Sequence, residues 1–331
     1  MACETCRWPL TRSPSSVPKK DRLSRASLKK RTGQNQKTGD KIKQKTPLLP
    51  VPKDIRPDYR HGQNFLLDPD ILDREIAYAN ITPEDQVLEI GPGIAHLTRK
   101  LTQKAGHVHA FEIDRQFESL LSDLATETGT LTLHWGDAAA LSWPDVNKVV
   151  ANLPYKMSLP LIFRILETET IELAVVIIQE RLARRLAAKP GQNGYSRISV
   201  SLQRVATAQV LEVVKDRAFS PPPQIDSAML RLKRIRPRFT FSDPDYGRNC
   251  LDYFFLRRDS ALAEAVADLR PEAALRRALS HMPKTILKTP IFSQAPESLG
   301  KLAEALWRES VDIPKVTTEE KQKSQQLFRP K

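Results

Sequence analysis

Between residues 87 and 178 the hydrophobic positions fall into short unbroken runs, separated by stretches in which apolar residues recur every three or four positions. Residues 87–91 read as a buried strand, followed by a Gly-Pro-Gly turn and a helix through Leu97, Leu101 and Lys104. A second strand is predicted over 108–112 and a second helix over 115–125. Further strands are expected at 131–135, 149–152 and 173–178, with helices at 159–166 and 180–188. Strands that alternate with helices imply an α/β fold whose parallel sheet is covered on both faces. Two later β-rich runs, 208–214 and 228–233, flank a proline-rich turn and close the sheet as an antiparallel hairpin. From about Asp243 the period turns helical at 251–255, 260–269, 272–279 and 297–307, which reads as a small helical domain.

Charge adds a further division. The chain has 331 residues and a formal net charge of +13. Residues 1–60 hold nine Lys and seven Arg against five acids, so almost all of the excess belongs to them. Rich in Ser, Thr, Pro, Lys and Gln and without apolar periodicity, residues 1–57 are expected to form a disordered basic leader. It reads as a solvated extension or as a basic arm on a polyanion; a mitochondrial transit peptide is disfavoured by its many lysines and by Glu4 and Asp21. The domain expectation is therefore a leader at 1–57, a catalytic domain at 58–240, a helical domain at 241–312 and a polar tail at 313–331. The longest apolar run, 173–178, is far short of the roughly 20 residues that span a bilayer, so no membrane partner is expected. Cys3, Cys6 and Cys250 cannot build a disulfide framework, which points to a reducing, cytoplasmic setting. Cys3 and Cys6 form a lone CxxC, short of the four ligands of a structural zinc, and no metal is assigned.

Candidate chemistry lies at the strand ends, where a doubly wound sheet binds its ligands. The turn 91–96 is Gly-Pro-Gly-Ile-Ala-His, and His96 occupies the third glycine position of GxGxxG, which weakens a nicotinamide reading. Glu112 follows Gly91 by 21 residues, where a carboxylate accepts from ribose hydroxyls. Such a pairing serves nicotinamide, flavin and S-adenosylmethionine enzymes alike, and a plain strand–turn–helix with a surface Glu remains open. Gly136-Asp137 ends the third strand, where an Asp can receive an adenine amine. Asn152-Leu-Pro-Tyr155 ends the fourth. The exocyclic amine of adenine is a poor nucleophile because its lone pair is delocalised into the ring. The Asn152 side-chain oxygen and the Leu153 carbonyl can both accept from that amine and localise the pair, while Tyr155 stacks on the base. An Asx-type turn with a packed aromatic is the alternative.

These motifs, in order, resemble the ribosomal RNA adenine dimethyltransferases. The resemblance runs through His61-Gly-Gln-Asn-Phe-Leu66, Glu89-Ile-Gly-Pro-Gly93, Phe111-Glu-Ile-Asp114, Gly136-Asp137 and Asn152-Leu-Pro-Tyr155. It continues through 179–185, Lys189-Pro-Gly, Tyr195-Ser-Arg-Ile-Ser-Val200 and Phe219-Ser-Pro-Pro-Pro-Gln-Ile-Asp-Ser227. It implies a Rossmann-like S-adenosylmethionine-dependent methyltransferase sheet with a small C-terminal helical domain. By that resemblance Asn64 and Leu66 cover the cofactor, Gly91 contacts its methionine part, Glu112 its ribose and Asp137 its adenine. Asn152 serves cofactor and target amine, Leu153 accepts through its carbonyl, and Tyr155 with Phe219 sandwiches the flipped adenine. The implied partner is small-subunit rRNA in a ribosome assembly intermediate, met by a monomer that dimethylates two adjacent adenosines near the 3′ end.

The chain departs from the family pattern at four places. Ala95 stands where a third glycine is usual, Ser196 where the bacterial branch favours Gly, and Arg257-Arg-Asp259 where a basic run is expected on a helix facing RNA. The long basic leader is the fourth. Two alternatives remain: a large-subunit rRNA adenine methylase of the macrolide-resistance type, and a non-catalytic RNA- or DNA-binding factor on the same scaffold. Phe219-Ser-Pro-Pro-Pro and the helical C-terminal section favour the small-subunit enzyme.

Overall fold

The computed structural model describes residues 46–58 and 62–320. The expectations for residues 1–45, with their CxxC, and for the end of the polar tail lie outside the described residues. The first element is a two-residue strand β1 (Phe65–Leu66), followed by α1 (Pro69–Ala79). Helix α1 starts where Asp68 accepts from the amides of Asp70 and Ile71 at 3.1 and 3.3 Å, with Pro69 in the first turn. Next come β2 (Gln86–Ile90), α2 (His96–Thr102), β3 (His107–Glu112), α3 (Glu118–Thr128), β4 (Leu131–Trp135) and β5 (Lys148–Asn152). They continue as α4 (Ser158–Glu167), β6 (Leu173–Gln179), α5 (Glu180–Ala187), α6 (Arg197–Gln203) and β7 (Ala206–Val214). The short β8 (Phe219–Ser220) and the long β9 (Ser227–Arg234) complete the strands.

Seven strands form one sheet in the order β4-β3-β2-β5-β6-β9-β7, and β1 pairs separately with β8. Strands β4, β3, β2, β5 and β6 are parallel, and β9 runs antiparallel to both β6 and β7. The expected hairpin is therefore present, with β9 inserted between β6 and β7. Val87, Leu88, Val149, Val150, Val175 and Val176 are buried on one face or the other, as a sheet covered on both sides requires. One apolar core lies under α1, α2 and α3; a second lies under α4, α5 and α6.

The segment before β1, which composition assigns to the leader, packs on this body: the Leu49 amide donates to Leu67 O at 2.8 Å and Ile55 is buried. Two apolar residues and one strand-like contact are too sparse a pattern to stand out in a polar stretch. Beyond the sheet, α7 (Pro244–Leu256), α8 (Leu262–Ala265), α9 (Glu272–Ser280), α10 (Lys284–Leu287) and α11 (Pro296–Arg308) enclose a third core. The helix expected over 260–269 shrinks to the four residues of α8. Among the described residues no helix is long and apolar enough to cross a membrane.

Candidate active site

All nine residues expected at the site line one cavity of about 360 Å³ at the carboxyl ends of β2, β3, β4 and β5. Asn64 and Leu66 form its N-terminal lip, with Asn64 Nδ2 donating to Gly62 O at 3.1 Å. The lip is tied down from β3, because Gln63 Nε2 donates to Asp114 Oδ2 at 2.8 Å. Pairing of β1 with β8 sets Leu66 opposite Phe219 and so joins the lip to the proline-rich loop.

The glycine turn follows β2. Gly91 has φ of +75° and open space where a side chain would begin, so its backbone is bare to the cavity. Ala95 takes φ of +63° as the cap of α2, a left-handed conformation in which a Cβ is disfavoured. Its methyl is fully buried in the core under α2, which offsets part of that cost. The departure from glycine is thus accommodated locally.

Glu112 is buried, and three backbone amides hold it. Ile113 and Asp114 donate to Oε1 at 2.9 and 2.8 Å, and Gly93 donates to Oε2 at 3.1 Å. Burial nevertheless raises its pKa above the ordinary carboxylate value, outweighing the amides. With Oε1 filled, acceptor capacity toward a ligand is concentrated on Oε2, which is narrower than the expected reception of two hydroxyls. Asp137 is exposed, and its Oδ1 accepts from Ala139 N at 2.8 Å.

At the end of β5, Asn152 Oδ1 is buried without a hydrogen-bond partner. A buried acceptor left open costs about 1–3 kcal/mol, so a ligand donor at this point would be strongly favoured. Leu153 is buried and its amide donates to Ile177 O at 3.1 Å, fixing the strand end. Tyr155 is half-buried, and its hydroxyl shares a 2.6 Å hydrogen bond with Ser227 Oγ on β9. Phe219 is only 6% exposed, lines the cavity, and also belongs to the core under α1 to α3. The ring therefore serves the cavity wall and the core at once.

Four residues to which the sequence expectation gives no role take part in the site. Ser227 orients Tyr155, and the Gln63–Asp114 bond ties the lip. Glu89 lines the cavity and is 1% exposed, and its Oε2 has no partner. An acid inside the apolar strand Val-Leu-Glu-Ile was the available signal for the last. The Arg257-Arg-Asp259 stretch differs from expectation too. Arg257 donates to both oxygens of Asp268 at 2.9 and 2.7 Å, and Arg258 is buried, donating to Asn193 O at 3.0 Å and lying over Phe292. Both arginines are engaged in packing the helical region.

A profile of the family described as ribosomal RNA adenine dimethylase matches residues 55–304. The chain belongs to this family. It is 35% identical over 243 residues to the probable ribosomal RNA small subunit methyltransferase A of Methanothermobacter thermautotrophicus, covering 73% of this chain and 88% of that one. Among solved structures, 23S rRNA methyltransferase ErmE is 26% identical with a TM-score of 0.60, over 73% of this chain and 99% of that one. A dimethyladenosine transferase from Plasmodium falciparum shares the fold with a TM-score of 0.67 at 24% identity, over 75% of this chain and 99% of its own.

Proposed function

We propose that this family member is an S-adenosylmethionine-dependent enzyme that dimethylates the exocyclic amines of two adjacent adenosines near the 3′ end of small-subunit rRNA. It would act as a cytoplasmic monomer on a ribosome assembly intermediate. The observation that carries this reading is the unpartnered Asn152 Oδ1, buried in the same cavity as Gly91, Glu112, Tyr155 and Phe219. The bare backbone at Gly91 and the open acceptors at Asn152 and Glu89 fit a ligand that brings amine donors and positive charge.

When bound, S-adenosylmethionine supplies an activated methyl group on a sulfonium. Asn64 and Leu66 would cover it, Gly91 would admit its methionine part, Glu112 would accept from its ribose and Asp137 from its adenine. Asn152 Oδ1 and the Leu153 carbonyl would accept from the target amine and localise its lone pair. Tyr155, held by Ser227, and Phe219 would fix the base by stacking, worth roughly 1–3 kcal/mol. Positioning supplies most of the catalysis because the methyl donor is already activated.

The test is to map N6,N6-dimethyladenosine by mass spectrometry on small- and large-subunit rRNA from cells with and without the protein. Loss of two adjacent dimethylated adenosines near the small-subunit 3′ end is expected on deletion. Loss on the large subunit instead would transfer the chain to the other methylase class, and unchanged methylation on both would make it a binder.

A further inference from the structure

Asp137 reaches the cavity on a turn, 136–143, that is fastened to the body of the protein by one arginine. Gly136 opens the turn with φ of +143°, and a Cβ there would stand 2.9 Å from Leu141 Cδ1. Its amide donates to Glu112 O at 2.8 Å, so the turn leaves the sheet beside Glu112. Asp137 then curls the chain around itself. Its carbonyl accepts from Ala140 N and Leu141 N at 2.9 and 3.0 Å, and its Oδ1 from Ala139 N at 2.8 Å. None of these bonds uses the carbonyls of Ala138 and Leu141, and Arg164 on α4 takes both. Its Nη1 donates to Ala138 O at 2.5 Å and its Nη2 to Leu141 O. Trp143 Nε1 also donates to Ala138 O, at 2.9 Å, and the guanidinium lies over the Trp143 ring, 4.4 Å from its centre. Helix α4 is itself anchored, with Leu161, Ile162 and Ile165 buried in the second core. Leu141 is 37% exposed, and at such a turn water could meet these carbonyls, whereas an immobilised arginine loses rotamer freedom to do so. What the guanidinium adds is a fixed shape, because one planar fork spans two carbonyls in a way that an ammonium cannot.

We propose that Arg164 is a positioning residue for base selection in the cofactor cavity: by fixing the turn it makes Asp137 accept a 6-aminopurine and refuse a 6-oxopurine. The proposal rests on the functional reading above, in which Asp137 receives the adenine, and adds the group that acts through it. Gly136, Asp137 and Ala138 all line the cavity, so the clamped stretch is the wall that the base meets. An ionised carboxylate only accepts hydrogen bonds; an amine at C6 satisfies it, and a carbonyl oxygen at C6 opposes it. The oxopurine carries its donor at N1 instead, one ring position away. A turn free to shift would carry the carboxylate to that donor, and the distinction would be lost, since it depends on distance and direction. Arg164 bonds to main chain on the far side of the wall, so removing it takes no contact from the ligand directly.

The test is calorimetric titration of the full-length protein with S-adenosylhomocysteine and with S-inosylhomocysteine, which differ only in the group at C6 of the base. Wild type should prefer the adenosyl ligand by about tenfold or more, as a site built around one hydrogen bond does. R164M should bind the adenosyl ligand about tenfold more weakly and the inosyl ligand within about twofold of wild type, so that most of the preference disappears. R164K, which can reach one carbonyl, and W143F, which keeps the ring and loses the N–H, should fall between the two. Thermal melts of the same variants report any loss of stability separately. Equal weakening of both ligands in R164M, at an unchanged preference, would reduce Arg164 to a brace of the fold and overturn the proposal. If R164M does not fold, an unchanged preference in both R164K and W143F would overturn it in the same way. A wild type that binds the two ligands equally would remove Asp137 from base recognition and the proposal with it, leaving the methyltransferase reading in place. A wild type that binds neither ligand, nor S-adenosylmethionine, would overturn the functional reading itself.

Discussion

Two hollows in this protein differ in how their polar groups are satisfied. The hollow of about 580 Å³ beside α9, α10 and α11 is the more voluminous, yet its carboxylates are paired. Arg238 donates to Glu297 at 2.6 Å, Arg277 to Glu309 at 2.5 Å, and Ser242 and Arg308 both donate to Glu304. Glu297 and Glu304 accordingly sit below the ordinary carboxylate range, each through hydrogen bonds that outweigh burial. The cavity of about 360 Å³ at the sheet's carboxyl edge is the opposite case. Among the described residues, every buried side-chain oxygen without a partner belongs to Glu75, Glu89, Thr98 or Asn152, on its wall or directly behind it. Volume does not mark the site. Unsatisfied polar chemistry does, because a fold tolerates open acceptors only where something else is to fill them.

The sharpest way to break this contrast is Asn152→Ala. The single-turnover methylation rate should fall by about 10² or more, as for loss of an oriented transition-state partner. RNA affinity, measured separately by filter binding, should be unchanged because phosphate contacts elsewhere dominate it. The matching change in the helical region is Gln294→Ala. Gln294 is buried and donates to Ile286 O and Thr289 O at 2.9 and 2.8 Å, so its removal loses two buried hydrogen bonds and leaves each carbonyl with its backbone amide alone. A loss of about 2 kcal/mol in denaturant unfolding is expected, with the rate per folded molecule preserved.

Glu75→Leu should do the reverse and stabilise the protein by about 1 kcal/mol, since it removes a buried polar group that has no partner to lose. Equal destabilisation by the Glu75 and Gln294 changes would erase the distinction between the two regions. A further contrast lies in the pH dependence. Glu89 holds its proton up to about pH 8 when folded and to its ordinary value near 4.5 when unfolded. Its contribution to stability is therefore complete below pH 4.5 and is lost as pH rises toward 8. His109, beside His134 on the open face of β3 and β4, runs the other way. Burial brings its folded pKa to about 4, so its contribution is present above pH 6.5 and lost as pH falls toward 4. Thermal melts across this range should flatten on the alkaline side in E89Q and on the acid side in His109→Phe.

Much of this was legible in the residues alone. The five parallel strands are short apolar runs bounded by turn residues, and those runs locate every strand end that carries chemistry. What the sequence did not reveal was set by contacts distant along the chain. Strands β1 and β8 have two residues each and exist only because Leu66 and Phe219 meet across more than 150 positions. The Ser227 hydroxyl reaches Tyr155 only because β9 inserts beside β6. Helix α8 is short because the chain from 260 onward bonds to the segment near Thr289 and Ile291 in place of continuing its own helix. The sequence presents Glu112 as a receptor for ligand hydroxyls, whereas its three bonds to backbone amides depend on how the chain turns after β3. Glu89 was visible as an acid in an apolar strand, but its lack of a partner is a property of the packed cavity.

The central claim is that the open acceptors at the sheet edge are there to receive S-adenosylmethionine. Calorimetric titration of the wild-type protein with S-adenosylmethionine and, in parallel, with NAD tests it most directly. Saturable binding of S-adenosylmethionine in the micromolar range, weakened by Glu112→Ala, with no measurable heat from the dinucleotide, is the predicted result. Binding of NAD with none of S-adenosylmethionine would contradict the account.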